Sequence, residues 1–67
     1  MRFADFVRLV EAFGFRRRRI TGSHHLFARP GVPQHVNLQN VRGPTKPYQV
    51  DQFLKLIEVR GLNLEDK

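Results

Sequence analysis

The stretch from Phe15 to Leu38, FRRRRITGSHHLFARPGVPQHVNL, decides the fold. Its residues fall into short alternating runs: Phe15 to Thr21, His24 to Arg29, and Gln34 to Leu38. Gly22-Ser23 and Pro30-Gly31-Val32-Pro33 separate the runs, and glycine and proline so placed mark turns. This spacing predicts three strands in a meander. Connections this short permit only hairpins, so the sheet is expected to be antiparallel, with one face on the core and the other open to a ligand.

Before this stretch, Phe3, Phe6, Val7, Val10 and Phe13 recur at helical spacing, while Arg2, Asp5, Arg8 and Glu11 fall largely elsewhere. An amphipathic helix is predicted at about Arg2 to Phe13, with Gly14 as the permissive residue after its last turn. After it, Asn40 to Pro47 reads as a loop containing Gly43-Pro44, and Pro47 suits the first turn of a second helix. Val50, Phe53, Leu54 and Ile57 form that helix's apolar stripe, and Gly61 stands at its stop. Leu62 and Leu64 are placed to fold back on the core, and Glu65-Asp66-Lys67 reads as a loose tail. The order α-β-β-β-α implies an α+β two-layer sandwich, residues 1–67 forming one domain with both helices on one face of the sheet. Double-stranded-RNA-binding domains share that order, although one fold hosts many activities.

A chain of 67 residues has room for one small core, burying only about 60% of its unfolded surface. It has no cysteine, which excludes disulfides and thiolate metal sites and makes a reducing cytosol the expected compartment. No apolar run approaches the roughly 20 residues of a membrane span, and the N-terminus lacks the apolar core of a secretory signal. Neither export nor a membrane partner is expected. Twelve basic residues against six acidic ones give a net charge of +6. No acid lies between Ala12 and Val50, whereas Arg16, Arg17, Arg18, Arg19, Arg29, Arg42 and Lys46 all do. A polyphosphate partner fits that asymmetry.

Strand alternation sends Arg17 and Arg19 to one face and Arg16 and Arg18 to the other. A solvated strand whose arginine stems cover the sheet is the alternative reading. The lack of nearby carboxylates favours phosphate contact instead. The adjacent His24 and His25 obey the same rule. If Leu26 packs inward, His24 shares its face and His25 points out; if Phe27 packs inward, the assignment reverses. The larger ring favours the second on burial alone. A metal site is not expected, because neighbours on opposite faces chelate poorly and no cysteine assists.

The opening helix ending in Glu11-Ala12-Phe13-Gly14-Phe15, the basic strand, Gly22-Ser23-His24-His25-Leu26-Phe27, the Arg29-Pro30-Gly31 turn and the closing helix together resemble the HicA toxins of bacterial toxin–antitoxin systems. The resemblance spans nearly the whole chain. It implies a small endoribonuclease with a double-stranded-RNA-binding-domain-like fold, which cleaves messenger RNA, so blocking translation, and is held inactive by a HicB antitoxin. A histidine of the signature is the family's functional residue. Members differ in which of the two positions holds it, so the role falls on His24 and His25 together, with Gly22 and Ser23 shaping the turn. This chain departs from many members at Asn37-Leu38-Gln39-Asn40 and Tyr48-Gln49-Val50, where a proline-histidine segment and a threonine-leucine pair are usual.

RNA carries its own nucleophile, the 2′-hydroxyl, so cleavage needs proton transfer and a stabilised phosphorane and calls for no cofactor. Histidine, with an ordinary pKa of about 6.5, suits the proton transfers. Arginine's planar fork of donors suits the crowded phosphate. His24 or His25 is thus the candidate acid or base, and Arg17, Arg19 or Arg29 the candidate for phosphate stabilisation. Arg16, Arg18 and Lys46 are further candidates for RNA contact. His35 is a candidate for the second proton transfer, or an ordinary strand residue.

Overall fold

The computed structural model describes residues 1–65. Its elements are α1 (Phe3–Ala12), β1 (Arg16–Thr21), β2 (His24–Arg29), β3 (Val32–Gln39) and α2 (Pro47–Arg60). The strands form one antiparallel sheet in the order β1-β2-β3, giving the expected α-β-β-β-α arrangement.

Two two-residue turns set the hairpins. Thr21 pairs with His24 across Gly22-Ser23, and Gly22 takes a φ of 59°, which suits a turn with glycine at its first central position. Arg29 pairs with Val32 across Pro30-Gly31, where proline presets the first φ and Gly31 supplies a φ of 84° at the second. The second connection is therefore shorter than the sequence suggested. β3 starts at Val32, which is buried, and Pro33 lies within it. An edge strand tolerates proline, and here three residues, Pro33, Gln34 and His35, stand opposite Ala28 alone.

β1 departs from simple alternation as well. Arg17 is opposite Phe27 and Arg19 is opposite Leu26, so Arg18 is an extra residue in a β-bulge. Beyond the bulge the faces are exchanged. Arg17 and Arg19 therefore do not share a face, and Arg19 shares one with Arg16, opposite Ala28.

The helices cover the face that carries Phe27. Phe6 and Val10 of α1, Phe15, Phe27, Val32, Val36 and Leu38 of the sheet side, and Phe53 of α2 form the buried core. Phe53 is its hub, meeting Phe6, Phe13 and Phe15 edge to face at centroid distances of 6.0, 5.8 and 5.7 Å. Each such pair adds about 0.5–1.5 kcal/mol beyond its buried area. Val50, Leu56 and Ile57 pack partly against the core, whereas Leu54, assigned inward by its spacing, is exposed. At about 100° per residue, a helix centred on Phe53 turns Leu54 to its flank and brings Leu56 in. α2 begins with Pro47 and ends at Gly61, φ 62°, in a Schellman motif: Leu62 N–H donates to the Ile57 carbonyl and Gly61 N–H to the Glu58 carbonyl.

Leu62 folds onto the core, and Leu64 stays exposed. Glu65 is docked rather than loose: its N–H donates to the Ala12 carbonyl at 2.8 Å and its carboxylate meets Arg16 at 3.2 Å. Asp66 and Lys67 lie outside the described residues.

Candidate functional site

Phe27 packs inward with no exposure, so by alternation His25 faces the helices and His24 the open side of the sheet. Pairing extends this face outward from His24. Thr21 on β1 and Gln39 on β3 stand directly opposite it, while Arg19 and Asn37 face Leu26 and so reach His24 diagonally. Arg19, Thr21, His24, Leu26 and Asn37 line a shallow depression of about 230 Å³. His24 Nδ1 lies 3.3 Å from Asn37 Oδ1. The depression thus combines a proton-transfer group, a guanidinium and neutral hydrogen-bonding side chains over the half-buried Leu26.

His25 has different surroundings. Its ring meets Phe3 of α1, and its Nδ1 is buried without a hydrogen-bond partner among the described residues. Burial lowers its pKa below the ordinary value of 6.5, and the positive charge of Arg17 lowers it further. The ring is packed against α1, and its charged form is disfavoured. The two histidines proposed together from sequence are therefore separated by the sheet.

The arginines divide into two groups. Arg29 donates to the Phe13 carbonyl at 2.7 Å, and Arg16 donates to the Glu11 carbonyl at 2.8 Å and the Phe15 carbonyl at 2.9 Å. Both tie down the end of α1, whose last turn has no basic residue of its own. Arg17, Arg18 and Arg19 are exposed and have no such hydrogen bonds or ion pairs among the described residues. Lys46 is exposed at the start of α2 and does not line the depression. Gly22 and Ser23 form the turn that presents His24, and the Ser23 carbonyl accepts the Asn40 N–H at 2.8 Å, prolonging the β2–β3 ladder. His35 lies in the irregular part of β3 and lines another groove, beside Gln49, Gln52 and Leu56 of α2.

Thr21 and Asn37 line the candidate site and were missed by the sequence reading. Thr21 was recoverable, since a two-residue turn places it opposite His24. Asn37 depends on a β3 register that the irregularity at Pro33 to His35 obscures.

Among the described residues, no group of three or more histidine, cysteine or acidic side chains could hold a metal ion, and no helix is long and apolar enough to cross a membrane. No curated protein and no solved structure matches the chain significantly. The family model for the HicA toxin of bacterial toxin–antitoxin systems matches residues 3–59, from the first residue of α1 to the last turn of α2. With that match running through both hairpins and the Gly22-Ser23-His24-His25 turn, the chain belongs to the HicA toxin family.

Proposed function

We propose that this toxin is an endoribonuclease that cleaves messenger RNA and so blocks translation, with His24 as its general acid or base. The observation that carries the reading is the position of His24 on the open face of the sheet, in one depression with Arg19 and Thr21. His24 removes the proton of the RNA 2′-hydroxyl, whose oxygen then attacks the adjacent phosphorus. The bond to the 5′-oxygen breaks, that oxygen takes a proton from water, and His24 returns its gained proton to solvent. The products are a 2′,3′-cyclic phosphate and a 5′-hydroxyl. Arg19 stabilises the charge that gathers on the phosphate oxygens, and Arg17 and Arg18 hold flanking phosphates from the exposed edge. His25 supports the fold and takes no part in proton transfer. A messenger RNA substrate sets the working compartment as the cytoplasm.

A HicB-like antitoxin completes the reading. A carboxylate-bearing surface laid over His24 and the free arginines would neutralise the basic middle of the chain and exclude RNA together.

The test is incubation of end-labelled single-stranded RNA with the purified protein, with and without a chelator, followed by analysis of the new ends. Cleavage to cyclic phosphate that survives the chelator and is lost in His24→Ala supports the reading. Cleavage by His24→Ala at the parent rate overturns it. RNA binding with no cleavage by the parent leaves a non-catalytic RNA-binding module.

A further inference from the structure

His24 and Asn37 come from neighbouring strands and meet diagonally on the open face, Nδ1 to Oδ1 at 3.3 Å. An amide oxygen accepts and cannot donate, so Nδ1 must carry a proton for this contact to form, and in the neutral ring that is the ring's single N–H. The basic lone pair then resides on Nε2, at the far end of the ring. Free histidine in water prefers the opposite tautomer. The other residues lining the depression make no hydrogen bond to the ring among the described residues, and Arg19 is the charged side chain among them.

We infer that Asn37 is a positioning residue that fixes the tautomer and ring orientation of His24, leaving Nε2 as the atom that exchanges a proton with RNA. The inference rests on the proposed role of His24 and adds a second residue to that site. Without Asn37 the ring is free to rotate about its side-chain bonds and to revert to the tautomer protonated on Nε2, which cannot accept the 2′-hydroxyl proton there. Binding of RNA, carried by the arginines, is untouched. The loss therefore falls on kcat and spares KM.

The experiment pairs two readouts on the full chain and on two variants, Asn37→Leu, which keeps the volume, and Asn37→Asp, which keeps the acceptor. Ring nitrogen chemical shifts of His24, recorded above pH 8 on free protein, report the tautomer. The parent and Asn37→Asp are expected to hold the proton on Nδ1, and Asn37→Leu to shift it to Nε2. Cleavage of labelled RNA should show kcat lowered about tenfold in Asn37→Leu, the size of one hydrogen bond lost at the transition state, with KM unchanged and substantial rescue in Asn37→Asp. A parent spectrum showing the proton on Nε2, or an Asn37→Leu variant with the parent's tautomer and kcat, overturns the inference. A tautomer that follows Asn37 in a parent that cleaves no RNA upholds the positioning contact and removes the nuclease reading instead.

Discussion

His25 meets Phe3 edge-on, with ring centroids 4.9 Å apart and ring planes at 60°. This contact joins the first turn of α1 to β2 and places a titratable ring where a proton on Nδ1 would find no acceptor among the described residues. Arg17 and Ile20 from β1 and Leu38 from β3 belong to the same side of the sheet. The pKa of His25 in the folded chain is lowered, so the unfolded chain binds this proton first as pH falls. Its contribution to stability is complete above the unfolded value of about 6.5 and is lost as pH drops through the window below it. Urea denaturation between pH 8 and pH 5 should show stability falling with pH in the parent, and a shallower fall in His25→Phe. Identical profiles would remove His25 as the cause.

Exchanging the two histidines for alanine should separate chemistry from packing. His24→Ala is expected to abolish RNA cleavage while leaving the midpoint of unfolding and the RNA affinity close to the parent's. His25→Ala should destabilise the fold by about 1–2 kcal/mol through the lost ring contact and retain cleavage at temperatures where it is folded. Parallel cleavage assays and denaturation curves check both, and the reverse pattern would exchange the roles.

The backbone carbonyls that occupy the Arg16 and Arg29 guanidiniums decide which arginines should matter to RNA. Arg19→Gln and Arg17→Gln are each expected to weaken binding and to reduce the slope of log affinity against log salt by roughly 0.7, the value for one phosphate contact to single-stranded nucleic acid. Arg16→Gln and Arg29→Gln should leave that slope intact and lower stability by about 1 kcal/mol, because carbonyls at the end of α1 lose their charged donors. Titrations at several salt concentrations decide. Slopes equal to the parent's in all four variants would make the arginine run a solvated strand.

Replacing Gly22 by alanine should cost about 1 kcal/mol, since its φ of 59° strains a side chain although the space around it is open. Gly14→Ala should cost more, because its φ of 89° lies further from the left-handed region that a side chain tolerates, while the Glu65 carboxylate 2.7 Å from a Cβ there ends a flexible side chain and can move aside. Denaturation of the two variants side by side tests the order. A milder effect at Gly14 would mean that its backbone relaxes to a φ that a side chain accepts.

An antitoxin that covers His24 and the free arginines should compete with RNA, and its hold should weaken as salt rises. Fluorescence titration of toxin with labelled RNA, repeated with increasing antitoxin, measures the competition. A ternary complex with undiminished affinities would place the control elsewhere on the molecule.

Much of this was legible in the sequence because burial leaves a periodic trace. The α1 stripe, both glycine-containing turns and the inward choice of Phe27 over Leu26 follow from side-chain size and spacing. Four identical arginines carry no such trace. Nothing in Arg16 to Arg19 says where an extra residue is inserted, and one insertion exchanges every face beyond it. Pro33 misled in another way, since proline breaks an inner strand but not an edge, and which strand is the edge is a property of the sheet. The Asn37 contact with His24 was hidden for the same reason. Leu54 shows the limit of a stripe read alone: spacing gives a face, and its centre is set by the phenylalanines that gather around Phe53.

β1 and β3 are the two edges of the sheet, and each is interrupted, by the bulge at Arg18 and by Pro33 with its unpaired neighbours. An uninterrupted edge is a template on which another chain can add a strand, and growth from such edges ends in aggregates. Here a second molecule approaching along β1 would bring one run of four arginines against another. The charge and the misfit together disfavour strand addition at that edge, so the residues proposed to hold RNA are also the ones that guard the sheet against edge-to-edge growth.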